Sequence, residues 1–270
     1  MARLVLGTDK SVKIPAIVRD VSPAYYIEKT KDANGKAQNG SYLMDLSAFT
    51  DVGDYVFSGT YSRNTSITGA VAFGSLTTVS GRDGCVSMFY GCTGITSVDL
   101  SSLTTVSGYS GCQSMFSGCS GLTSFDLSSL TTVSGRDGCA YMFQGCTGLT
   151  SVDLSSLTTI SGYEGCYTMF EGCTGLTSVD LSSLATINSS YGCSNMFAGC
   201  TSLTTLSFPA LTSTTLDYYK NQFNNMLRGV TGCTVHFPSN LQSVIGSLSY
   251  VTNGFGGTNT TVLFDLPATE

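Results

Sequence analysis

The chain has no tryptophan, one histidine and five prolines, and only 11% of its 270 residues are charged. An average soluble domain carries about 25% charged residues. General acid and base catalysis draws on His, Asp, Glu and Lys, so this sparse supply argues against an enzyme, and no catalytic residue is assigned. His236 is the one imidazole, which leaves a thiol nucleophile without a natural base. No phosphate-binding glycine-rich segment with its lysine is present. No apolar run approaches transmembrane length, so no membrane partner is expected. Leu4-Val5-Leu6 is followed at once by Asp9 and Lys10, so no secretory leader is read there.

What charge there is lies unevenly. Residues 1–40 hold seven Lys/Arg against four acids, about +3, whereas residues 91–200 hold Arg136 against seven acids, about −6. A phosphate backbone would be repelled by that body, so nucleic acid is excluded as a partner.

The abundant residues point elsewhere. Hydrophobic residues make up 41% of the chain, with 31 Gly and 11 Cys, enough for a sizeable core. The segment from Gly91 to Gly108 recurs almost unchanged from Gly118, Gly145 and Gly172, a period of 27 residues. Degenerate copies flank it, at Met44-Asp45-Leu46 and Val71-Ala72-Phe73 upstream. Downstream lie Leu206-Ser207-Phe208, Val235-His236-Phe237 after a slightly longer coil, and Val262-Leu263-Phe264.

Within one repeat, apolar residues fall at Ile95, Val98, Leu100, Leu103, Val106, Cys112, Met115, Phe116 and Cys119. The Val98-Asp99-Leu100 alternation is that of a strand with Asp99 outward. Glycines 91, 94, 108 and 111 supply corners. A unit this short encloses no core alone, so the coils must stack, each strand pairing in parallel with its copy in the next coil. The expected fold is a β-rich, right-handed solenoid with a parallel sheet whose strands are about 4.8 Å apart. Its expected boundaries are an N-terminal β anchor or cap at 1–58, repeats at 59–238 and a C-terminal cap at 239–270.

The phrase Met115-Phe116-Ser117-Gly118-Cys119-Ser120-Gly121-Leu122-Thr123-Ser124-Phe125-Asp126-Leu127 closely resembles BspA-like leucine-rich repeats. The resemblance covers roughly residues 64–238 and departs from the shorter family repeat by an inserted Gly-Tyr/Arg-x-Gly-Cys segment. It implies a leucine-rich-repeat solenoid of the kind found in bacterial surface adhesins and in proteins of bacteriophages and parasites, and hence binding.

Ten cysteines form two registers, Cys85, Cys112, Cys139, Cys166 and Cys193, and Cys92, Cys119, Cys146, Cys173 and Cys200; Cys233 matches neither. Seven-residue steps do not converge zinc ligands, so no metal or cofactor is assigned. The cysteines are either small hydrophobes stacked in core ladders or disulfides between or along the registers.

The outward strand position reads Ala72, Asp99, Asp126, Asp153, Asp180, Ser207 and His236. Four stacked carboxylates repel by about 1 kcal/mol per neighbouring pair even in water. Either each Asp bonds locally to surrounding Ser and Thr and keeps the repeat soluble, or the row is a ridge that binds a cation or a polyhydroxylated ligand. A second variable row follows the Ser-Gly corner: Arg82-Asp83, Tyr109-Ser110, Arg136-Asp137, Tyr163-Glu164 and Ser190-Tyr191. Its alternation either records duplication of a two-coil unit or lines a contact surface, for which Tyr and Arg are apt. The candidate ligand-binding residues are therefore Asp99, Asp126, Asp153, Asp180, Tyr109, Arg136 and Tyr163.

Leu4-Val5-Leu6, Val12-Lys13-Ile14-Pro15-Ala16-Ile17-Val18 and Ala24-Tyr25-Tyr26-Ile27-Glu28-Lys29 read as short strands, with a hairpin turn at Asp32-Ala33-Asn34-Gly35. The Leu-Val-Leu-Gly-Thr opening followed by Ile-Pro-Ala-Ile-Val is similar to the starts of structural proteins of phages infecting Firmicutes. That resemblance implies a head-fibre, decoration or tail-fibre component, joined to virion structural proteins through its N-terminal segment and presenting the repeats to a host-surface glycan or protein. A bacterial BspA-like cell-surface adhesin is the alternative. A homo-oligomer such as a trimer is common among viral fibres, although no coiled-coil heptad enforces one here.

Overall fold

The computed structural model describes residues 44–45, 50–65, 67–212, 221–246 and 248–269. The strands expected before residue 41 lie outside the described residues, whereas 44–45 and 51–52, within the expected anchor or cap, pair with the strands of the next coil. The remainder is a parallel solenoid with three sides to each coil.

The first side carries the Val-Asp-Leu phrase. Its strands are β1 (Met44–Asp45), β3 (Thr68–Ala72), β5 (Gly94–Asp99) and β7 (Ser124–Asp126), then β9 (Ser151–Asp153) and β11 (Ser178–Asp180), then β13 (Thr205–Ser207), β14 (Thr234–Pro238) and β15 (Thr261–Leu266). Pairing is parallel and steps one repeat per strand, as in Val98 opposite Phe125 and Asp99 opposite Asp126. The ladder breaks between β7 and β9 and between β11 and β13. The expected longer coil is there: Thr205 pairs with Thr234, two residues more than the period, and the period returns between Thr234 and Thr261.

The second side is one uninterrupted six-stranded sheet of two-residue strands: β2 (Asp51–Val52), β4 (Thr78–Val79), β6 (Thr105–Val106), β8 (Thr132–Val133), β10 (Thr159–Ile160) and β12 (Thr186–Ile187). The β-branched residues suit this pleat, and each Val or Ile points into the core. The threonine just before each strand adds its own ladder: Thr104 Oγ1 donates to the Thr77 carbonyl at 3.0 Å, and Thr131 Oγ1 to the Thr104 carbonyl at 3.0 Å.

The third side, Gly-Cys-x-x-Met-Phe, is a staircase of tight turns. Alternate amides point to the next coil, Cys85 N–H to Gly111 at 2.7 Å and Phe89 N–H to Met115 at 2.8 Å. Those between fold back within the coil, Met88 N–H to Cys85 at 3.2 Å and Cys92 N–H to Phe89 at 3.0 Å. Every fourth residue is left-handed, as in Glu164 (φ 55°), Thr168 (φ 57°) and Gly172 (φ 73°). For a non-glycine residue this conformation costs about 1–2 kcal/mol. The amide of each is bonded across to the next coil, Thr168 N–H to Ser194 at 3.0 Å and Tyr141 N–H to Tyr167 at 2.9 Å, so stacking offsets the local penalty.

Two columns fix how closely coils approach. Tyr61, Phe89, Phe116, Phe143, Phe170 and Phe197 form one stack with centroids 5.4–5.8 Å apart. At the corner after the second side, a Cβ on Gly108, Gly135 or Gly162 would fall 2.0–2.1 Å from the carbonyl oxygen of the glycine one coil earlier. Only glycine fits there. Ser189 takes the next place in that column, in the coil whose β12 is the last strand of the second sheet. At the C-terminal end, short helical turns at Ser239–Leu241, Gln242–Ile245, Ser249–Thr252 and Gly254–Gly256 lead into β15.

Candidate binding surfaces

The strand alternation places the four aspartates as expected: Asp99, Asp126, Asp153 and Asp180 are exposed at the ends of β5, β7, β9 and β11. Each bends the chain after its strand by accepting the amide of the residue two further on. The bonds run from Ser101 to Asp99 at 3.0 Å and from Ser128, Ser155 and Ser182 to Asp126, Asp153 and Asp180 at 2.9 Å. Bonds to the charged form favour it. The hydroxyl and amide of Ser101 accordingly hold Asp99 below its ordinary carboxylate range, and those of Ser155 do the same for Asp153.

All four of these bonds use Oδ1, and Ser128 Oγ adds a second to Asp126 Oδ1 at 2.7 Å. The two readings of the ladder therefore do not compete for the same atom. Oδ1 shapes the corner, while Oδ2 has no hydrogen-bond partner among the described residues.

Two shallow grooves run along this face. One, of about 390 Å³, follows β3, β5 and β7, with Ser97, Asp99, Ser124 and Asp126 beside Val98 and Phe125. The other, of about 450 Å³, follows β9, β11 and β13, with Ser151, Asp153, Ser178, Asp180, Ser207 and Pro209. The break between β7 and β9 separates them. Phe125 turns its ring inward onto Phe143, centroids 4.1 Å apart, where the other coils carry the smaller Val98, Val152 and Val179.

Tyr109, Arg136 and Tyr163 belong to a different corner, beyond the second-side strands, so the structure does not bring them together with the aspartates. They form part of a continuous stack with Arg82 and Tyr191. The Arg82 guanidinium carbon lies 4.9 Å from the Tyr109 ring centroid, and that of Arg136 lies 5.7 Å from Tyr109 and 4.7 Å from Tyr163. The Tyr191 ring stands edge-on to Tyr163 at 6.0 Å. Alternation has an energetic basis here, because arginine in every coil would stack like charges whereas a ring between them attracts both.

The residue after each Met-Phe, variable from coil to coil as Tyr90, Ser117, Gln144, Glu171 and Ala198, makes a third row, half-buried at Gln144 and Glu171. Gln144 Nε2 donates to Glu171 Oε2 at 2.8 Å, and Arg228 reaches Glu171 Oε1 at 2.8 Å. The intervening coil carries Ala198 at that place, small and fully covered. His236 continues the outward row beside Ser207, and its Nδ1 lies 2.9 Å from Asp265 Oδ1.

All eleven cysteines are free and buried. One register also has a polar role. Cys92, Cys119, Cys146, Cys173 and Cys200 point their thiols at the carbonyls of Tyr61, Phe89, Phe116, Phe143 and Phe170, at 3.1–3.2 Å. Among the described residues no group of three or more His, Cys, Asp or Glu is placed to hold a metal. No described helix is long and apolar enough to cross a membrane.

Comparison with known proteins places these features in a family. No curated protein matches the chain. Among solved structures, the T. pallidum leucine rich repeat protein TpLRR is 16% identical over 89% of this chain and 99% of its own, with a TM-score of 0.34. A leucine rich cell surface protein from Faecalibacterium prausnitzii A2-165 is 14% identical over 85% of this chain and 80% of its own, with a TM-score of 0.21. The family described as BspA type Leucine rich repeat region matches in six copies, over residues 46–191 and 112–247. Residues 46–247 being most of its length, the chain belongs to the BspA-type leucine-rich-repeat family.

Proposed function

We propose that this chain is a surface-displayed adhesion module that holds a host or environmental glycan or protein along the Ser/Asp face of its solenoid. The observation that carries the reading is the free Oδ2 of Asp99, Asp126, Asp153 and Asp180, presented in one row beside two grooves. A repeated row of one residue type suits a repeating, polyhydroxylated ligand better than chemistry on a single bond, which needs several residue types converging. On this reading the protein is not an enzyme and needs no cofactor. The display surface is a phage virion, to which residues 1–40 attach the repeats as part of a head fibre, decoration or tail fibre. Family membership supports a bacterial cell surface equally, and that is the second reading.

Two measurements test the proposal. Glycan binding by the intact chain, with and without calcium, should drop at least about tenfold, some 1.4 kcal/mol, in the Asp126→Ala, Asp153→Ala variant; equal binding would return those aspartates to a corner-shaping role alone. Deleting residues 1–40 should leave the solenoid soluble but absent from particles, and unchanged incorporation rejects the virion anchor.

A further inference from the structure

The Arg/Tyr row is a second surface, independent of the aspartate face. Arg82 and Arg136 are held from two directions. Each Nε faces the carboxylate of the next residue, Asp83 at 3.7 Å and Asp137 at 3.5 Å. Each guanidinium also lies against a tyrosine, and that of Arg136 between two, Tyr109 and Tyr163. What remains outward is the pair of terminal Nη groups on each arginine, for which no acceptor occurs among the described residues; both side chains are more than half exposed. A fork fixed in plane and by its inner nitrogen is preorganised to bind a carboxylate through two parallel hydrogen bonds.

Tyr109 is covered by Arg82 and Arg136, and Tyr163 lies between Arg136 and the Tyr191 ring, so this row offers edges and is no platform for stacking sugar rings. Its spacing is the informative quantity. Arg82 and Arg136 are two coils apart, roughly 10 Å at one strand spacing per coil. An extended peptide returns a side chain to the same face about every 6.8 Å, which misses that repeat. A pyranose chain advances by close to one strand spacing per sugar, so acidic groups on alternate sugars fall in step with alternate coils.

Charge sets the strength. Asp83 and Asp137 neutralise the two arginines, Glu164 adjoins the row, and the chain carries a net −6. Capture is therefore short-ranged and sensitive to salt, and a dense polyanion such as nucleic acid is repelled.

We propose that Arg82, Tyr109, Arg136 and Tyr163 form a docking surface for an acidic polysaccharide with a carboxylate on every second sugar. It rests on the adhesion reading only in taking a glycan as the ligand class.

The test titrates the full chain with hyaluronate oligosaccharides, whose carboxylates alternate, and with the same oligosaccharides after reduction of the carboxyl groups to alcohols. Hyaluronate should bind and weaken with added salt, and the reduced form should bind at least about tenfold more weakly. Arg82→Gln, Arg136→Gln should abolish the difference. Arg82→Lys, Arg136→Lys, which keeps charge but loses the fork, should lose most of it. The acidic aspartate face gains nothing from the ligand's carboxylates, so failure of the carboxylate dependence is distinct from failure of the aspartate face. No binding of hyaluronate by the wild-type chain, equal binding of the reduced form, or full binding by the glutamine variant overturns the proposal. The first two outcomes need no variant to fold.

Discussion

The thiol of Cys119 lies 3.1 Å from the carbonyl oxygen of Phe89, one coil earlier, and the same carbonyl accepts the amide of Cys92. A register that looks like a column of small hydrophobes thus joins adjacent coils through a donor that an alanine or valine lacks. The other register shows no such bond at Cys139. Replacing Cys146 by Ala should therefore cost about 1 kcal/mol more than replacing Cys139 by Ala. Chemical denaturation of the two variants checks this, and equal losses would reduce both registers to packing.

Thiol burial also gives the molecule an alkaline limit. Desolvation pushes Cys119, Cys166 and Cys173 up to about 12 and Cys233 up to about 11, from an unfolded value of 9.0. Between those values the folded chain holds more protons than the unfolded one. The stabilisation is fully present below pH 9 and is lost as pH rises through the folded values. Melting temperature should fall steadily above pH 9 under reducing conditions, and a flat profile to pH 11 would contradict the burial.

On the acid side the sign reverses. Asp99 and Asp153 are depressed by their bonds to Ser101 and Ser155, so their contribution is present above the unfolded carboxylate value and disappears as pH falls through the folded one. Asp99→Asn, Asp153→Asn keeps an acceptor for each amide and removes the titration. It should flatten the acid limb of stability while changing neutral-pH stability by less than about 1 kcal/mol. An unchanged acid limb would place that limb elsewhere.

The glycine column predicts a sharp contrast. An alanine at Gly135 would put its Cβ 2.1 Å from the Gly108 carbonyl oxygen, whereas one at Gly53 meets nothing within 4 Å. Gly135→Ala should cost about 3 kcal/mol by forcing two coils apart, and Gly53→Ala should be close to neutral. Thermal melts of the pair measure the difference.

Features that repeat at 27 residues were legible in the sequence. The outward Asp99, Asp126, Asp153 and Asp180, the inward Val98 and Leu100, and the longer coil before Val235 all follow from period and alternation. Links that do not keep the period were not legible. The thiol-to-carbonyl bonds span 30 residues, as from Cys119 to Phe89, a separation the period does not suggest, and Arg228 takes the register place of Glu171, 57 residues away, only once the extra residues of the longer coil between them are counted. Composition also hid the left-handed staircase, because Tyr141 and Thr168 are residues that local preference keeps out of that conformation; only their bonds to the next coil hold them there. The alternation of Arg82, Tyr109, Arg136 and Tyr163 was visible, but its cause, mutual stacking of ring and cation, arises only when the coils are stacked.

The central claim, the one proposed above, is that exposed rows along the stack do the work of this protein. Its most direct measurement compares host-surface binding by the intact chain with that of a variant carrying Asn at Asp99, Asp126, Asp153 and Asp180. These substitutions preserve the corner bonds while discharging the row. The account predicts at least about a tenfold loss of binding with the melting temperature at neutral pH lowered by no more than about 4 °C; undiminished binding by the folded variant would contradict it.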